Sequence, residues 1–66
     1  MCKMKAERLI KEILMRNHCR FLTSKLEDGI LIVWFIDVTG ECVKNFFPYR
    51  YMNEKEIEDM VIRSIY

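Results

Sequence analysis

From Lys3 to about Asn17, the residues Ala6, Leu9, Ile10, Ile13 and Leu14 recur at the spacing of an amphipathic helix. Lys5, Arg8, Glu12, Met15 and Arg16 lie off that stripe, and Asn17 and His18 are suitable stop residues. The period then changes. A strand is predicted over about Arg20 to Glu27, and Asp28-Gly29 is a strong two-residue hairpin signal. After it comes Ile30-Leu31-Ile32-Val33-Trp34-Phe35-Ile36, an unbroken run of large apolar residues ending at Asp37. Asp37-Val38-Thr39-Gly40 fits a type I turn, with Asp first and Gly last. A third strand follows over about Glu41 to Phe47 and stops at Pro48, which has no N–H to give to a ladder. The last element is a helix over about Glu54 to Ile65. Asn53 is its cap, Glu56 completes a capping box, and Ile57, Met60, Val61 and Ile65 form its apolar stripe.

The order is helix, three strands, helix, with turns short enough for sequential strands to pair as neighbours. The predicted fold class is α+β: a two-layer α-β-β-β-α domain, a three-stranded antiparallel meander packed by two helices. At 66 residues the chain makes one domain, near the lower size limit for folding alone.

The middle strand sets the problem. Alternate side chains of a strand point to opposite faces, so Leu31, Val33 and Phe35 share one face and Ile30, Ile32, Trp34 and Ile36 the other. A type I turn with a bulge at Gly40 pairs Phe35 near Val43 and Leu31 near Phe47, and sets Trp34 beside Lys44 and Ile32 beside Phe46. A different turn length would swap the third strand's contribution. The face with Phe35, Val43 and Phe47 has fewer charges and is expected under the helices. The other would carry Ile32, Trp34, Ile36 and Phe46, edged by Lys44. Each large apolar side chain gains roughly 1.5–3 kcal/mol when buried, so four of them weigh heavily in so small a chain. Either the two helices cover opposite faces, or a second copy or another protein covers the second face.

Composition adds limits. The apolar share is 52%, enough for a core, and the net charge of +1 gives no global field toward nucleic acid or membrane. No apolar run approaches the roughly 20 residues of a membrane span, and Met1-Cys2-Lys3-Met4-Lys5 leads into a charged helix, not an apolar signal segment. A cytoplasmic protein is expected. Cys2, Cys19 and Cys42 are odd in number and widely spaced, which reads as free thiols, two of them partly buried. No metal and no cofactor are expected. His18 and Cys19 are adjacent in an extended segment and point apart.

Charge is uneven. Through Lys25 the chain has seven basic residues against two acidic, net +5; from Leu26 onward it has four against eight, net −4. This describes either two solvated helix faces of opposite sign or a basic first helix that touches phosphate or an acidic protein. The segment Asn45-Phe46-Phe47-Pro48-Tyr49-Arg50-Tyr51 interleaves aromatics with Arg. It either closes the core at the strand–helix junction or makes contacts, with Tyr49 and Tyr51 as its contact residues.

Catalysis finds little in the residues. There is one histidine, no phosphate-binding glycine loop, and two glycines in all. His18 with Cys19 or Cys42 would lack a third, orienting group. Asp37 and Glu41 flank a hairpin tip as turn formers. The chain therefore reads as non-enzymatic.

The element order and length resemble the double-stranded-RNA-binding domain. That family's glycine- and lysine-rich approach to its second helix would fall at Tyr51-Met52-Asn53-Glu54-Lys55-Glu56, which is acidic here and lacks the phosphate-clamping lysines. The resemblance therefore implies fold order only. The function expected from the residues is a small protein-interaction module, a homodimer in one version, that binds through Ile32, Trp34, Ile36, Phe46, Tyr49, Arg50 and Tyr51. Compact, motif-free chains of this kind look like regulators or inhibitors encoded by phages and mobile elements. The alternative is a nucleic-acid binder using Lys5, Arg8, Arg16 and Arg20 with the Tyr49–Tyr51 segment.

Overall fold

A computed structural model describes all residues from Met1 to Tyr66. The chain forms helix α1 (Lys3–Arg16), strands β1 (Arg20–Glu27), β2 (Ile30–Ile36) and β3 (Cys42–Phe47), a single 3₁₀ turn (Tyr49–Tyr51), and helix α2 (Glu54–Ile65). The sheet is antiparallel in the order β1-β2-β3, and both helices lie on one face of it.

Local chemistry explains each boundary. Helix α1 ends in a Schellman motif: the Cys19 N–H donates to Leu14 O at 2.9 Å and the His18 N–H to Met15 O at 3.1 Å. The motif needs a left-handed residue, and His18 supplies it at φ 60° where glycine is usual. Asp28 and Gly29 both have positive φ, as the tight hairpin between Glu27 and Ile30 requires. At the second turn Asp37 Oδ1 accepts from the Thr39 N–H, the Thr39 hydroxyl and the Glu41 N–H at 2.9, 2.6 and 3.0 Å. Gly40 stands at φ 90° beside them. The α2 capping box is complete, with Glu56 N–H to Asn53 Oδ1 at 2.8 Å and Asn53 N–H to Glu56 Oε1 at 3.0 Å. Helix α1 has no such start: its cap residue Cys2 makes no side-chain bond, and its first turn holds no acid.

The predicted register holds. Phe35 pairs with Val43, Leu31 with Phe47, Trp34 with Lys44 and Ile32 with Phe46. One core of eleven residues follows from it: Ala6, Ile10, Ile13 and Leu14 of α1, Leu31, Val33 and Phe35 of β2, Phe47, Tyr49, and Ile57 and Val61 of α2. Strand β1 gives no residue to this cluster, although Phe21 packs against it. A bulge makes that contact. The ladder shifts between Phe21 and Thr23, leaving Leu22 as the extra residue. Without it, the register of Thr23 with Trp34 would continue as Phe21 with Ile36. With it, Phe21 pairs with Phe35 on the helix side and Arg20 with Ile36 on the other.

Polar ties join the layers. Asn45 donates to the Ser64 hydroxyl, which donates to Met60 O at 2.8 Å, fixing α2 over β3. The Lys11 ammonium stands 4.6 Å from the Phe21 ring centroid and 3.5 Å from Glu7, fixing α1 over β1. Burial alone would raise the Glu7 carboxyl. The Ser24 hydroxyl, Lys3 and Lys11 together hold it below the usual range.

Candidate functional site

The fold leaves the sheet face away from the helices without a covering layer. Its middle row is Ile30, Ile32, Trp34 and Ile36 of β2. Arg20, Thr23, Lys25 and Glu27 flank the row from β1, and Cys42, Lys44 and Phe46 flank it from β3. Residues paired across a ladder share a face, so the register itself places them there.

The row is partly shielded by its neighbours. Ile32 is only 7% exposed and yet lies outside the core cluster. Its ladder partners, Lys25 and Phe46, close over it from the two sides. Ile30, Trp34 and Ile36 are half-buried, and Phe46 is 52% exposed. Lys44 organises the aromatic part. Its ammonium stands 5.3 Å from the Trp34 ring centroid and 5.2 Å from that of Phe46. Strand alternation foreshadowed Trp34 beside Lys44. That one cation serves both rings follows only from side-chain conformation.

The Tyr49–Tyr51 segment divides. Tyr49 is 4% exposed and belongs to the core, so its expected role as a contact residue is corrected: the turn after Pro48 swings its ring beneath the helices. Arg50 is exposed, and Tyr51 is 87% exposed. Neither is in the ladder that defines the open face.

Of the basic residues of the alternative reading, Lys5 and Arg8 line one groove on α1, but Arg16 and Arg20 do not join them. Lys5 pairs with Glu54 of α2 at 3.0 Å, and Arg16 donates back to Glu12 O of its own helix at 3.4 Å. Arg8 is exposed on α1, whereas Arg20 lies on the far face of the sheet. Lys3 and Lys11 both bridge to Glu7. Of the seven N-terminal cations, Lys3, Lys5, Lys11 and Lys25 thus reach carboxylates, while Arg8, Arg16 and Arg20 do not. At the start of α2, Glu54 and Glu56 occupy the first turn and Lys55 pairs with Asp59 at 3.6 Å.

Reactive side chains are scattered. All three cysteines are free; Cys2 and Cys42 are exposed, so Cys19 alone is partly buried, one fewer than expected. Burial, with the Asp37 carboxylate, pushes the Cys19 thiol up, away from the thiolate form a nucleophile needs. His18 is spent on helix termination. No group of three His, Cys, Asp or Glu side chains stands close enough to hold a metal ion. An open groove of about 320 Å³ runs beside α2, lined by Met52, Glu56, Asp59, Met60, Arg63 and Ser64, and it holds no nucleophile–base pair. No helix is long and apolar enough to cross a membrane.

No protein-family model matches this chain, no curated protein matches it in sequence, and no solved structure matches it.

Proposed function

We propose that this protein is a small non-enzymatic interaction module whose open sheet face binds another protein. The observation that supports the reading most is a surplus of apolar surface on a layer that neither helix covers: Ile30, Trp34 and Ile36 half-buried beside a half-exposed Phe46. Solvent contact at such a cluster is unfavourable, and burial of its aromatic members is what anchors protein interfaces. A flat, ladder-built platform with aliphatic residues at its centre suits a protein surface better than a small molecule, which needs concavity. Of the residues expected to bind, Trp34, Ile36 and Phe46 carry this role. Ile32 supports them from beneath, and Tyr49 is excluded by burial.

The test is selection from a random-peptide display library on immobilised protein, run in parallel with Phe46→Glu. Phe46 lies outside the core, so the variant retains its circular dichroism spectrum. Peptides enriched on the parent and lost on Phe46→Glu are the expected result. Equal enrichment on both proteins, or none on either, would overturn the reading.

A further inference from the structure

We infer that the partner of this face is an acidic protein surface with an apolar centre, not a second copy of the chain and not a nucleic acid. The inference rests on the interaction reading above and adds the partner's chemistry.

Charge on the open face is one-sided. The ladder positions of the open face include Arg20, Lys25 and Lys44 but only one acid, Glu27. Glu27 is already paired, with Lys25 at 3.3 Å. Arg20 and Lys44 have no carboxylate within ion-pair distance. They sit on opposite outer strands, beside Ile36 and Trp34 respectively, so the apolar row runs between two uncompensated cations. Asp37, which follows Ile36 in the next turn, has its Oδ1 committed to Thr39 and Glu41 of that turn.

Covering this face removes water from both cations, and a cation buried without a counter-charge is costly. A second copy would bring two more unpaired cations and, at the ladder positions of this face, no unpaired acid, so stacking the face on itself compounds the cost. A surface with carboxylates around an apolar patch would meet Arg20 and Lys44 while burying Trp34, Ile36 and Phe46. Nucleic acid would supply anions but needs open ring faces to stack on. Here the Lys44 ammonium stands by both rings, and the rest of the row is isoleucine, which cannot stack.

The experiment reads the composition of the peptides whose capture depends on Phe46. Each is then titrated by the fluorescence of Trp34, the only tryptophan in the chain, at low and high salt. The expected peptides carry net negative charge with aromatic or aliphatic residues. Their affinity falls as salt rises, and it falls about tenfold or more with Lys44→Glu. Phe46-dependent peptides that are neutral or basic would overturn the acidic assignment and leave the interaction reading standing. Capture that does not depend on Phe46 would overturn both. Binding of oligo(dT) or oligo(U) that quenches Trp34 would assign the face to nucleic acid. A doubled mass by light scattering, abolished by Phe46→Glu, would assign it to a second copy.

Discussion

The ammonium of Lys44 stands 5.3 Å from the Trp34 ring centroid, and the two residues face each other across the β2–β3 ladder on the side no helix covers. A cation over a partly exposed indole is worth about 0.5–1 kcal/mol, and the aliphatic stem shields apolar surface as well. Lys44→Gln is expected to lower stability by about that amount and to shift Trp34 emission, while Lys44→Arg preserves both. Urea unfolding followed by fluorescence checks this. Equal emission from all three proteins would show that the contact is not held in solution.

Phe46 and Phe47 are adjacent and should behave oppositely. Phe47 is fully buried among both helices and β2, whereas Phe46 is 52% exposed on the other face. Phe47→Ala removes about 3–5 kcal/mol, comparable with all the stability a core of this size supplies, so the variant is expected to be largely unfolded. Phe46→Ala is expected to cost about 1 kcal/mol and keep the fold. Circular dichroism of the pair tests the assignment of faces; similar losses would refute it.

His18 holds a left-handed conformation at φ 60° with no side-chain hydrogen bond. Glycine adopts that conformation without the steric cost. His18→Gly is therefore expected to stabilise the protein by about 0.5–1 kcal/mol, read as a higher Tm. A lower Tm would mean that the imidazole makes a contact of its own.

Helix α1 begins without a cap bond at Cys2 and with no acid in its first turn. Cys2→Asp supplies both an acceptor for the free N–H groups and a negative charge at the positive end of the dipole. The expected gain is about 1 kcal/mol, shrinking as salt rises. Thermal melts at two salt concentrations measure it.

Asp37 predicts a pH dependence. The Thr39 hydroxyl foremost, then the backbone N–H groups of the turn, hold its carboxyl below the ordinary value of 3.8. A depressed carboxyl contributes stability that is complete above the unfolded value and lost as pH falls through the folded one. Asp37→Asn should therefore lie below the parent in Tm at neutral pH, and the gap should close below pH 3.8. Glu7 titrates in both proteins and cancels. A gap that stays constant into acid would exclude the charge as its cause.

Much of this architecture was legible in the residues because its signals are local. The α1 and α2 stripes, the Asp28-Gly29 hairpin, the Asp37–Gly40 turn and the Asn53–Glu56 box each act within a few positions. The turn lengths in their turn set the β2–β3 register, and with it the faces of Trp34 and Phe46. Three things lay beyond local pattern. The Leu22 bulge exchanges the faces of Phe21 and Arg20, and it answers to the space beneath α1, which only packing defines. Tyr49 is as compatible with a surface as with a core until the turn after Pro48 aims it inward. Placing both helices on one face was a global choice among packings. Periodicity thus determined the elements, their order and the double-sided greasiness of β2. Only the assembled layers decided that both helices share the expected side, that nothing in the chain covers the other, and that Arg20 joins Lys44 at its edge, because burial and charge at a face depend on residues far apart in the chain.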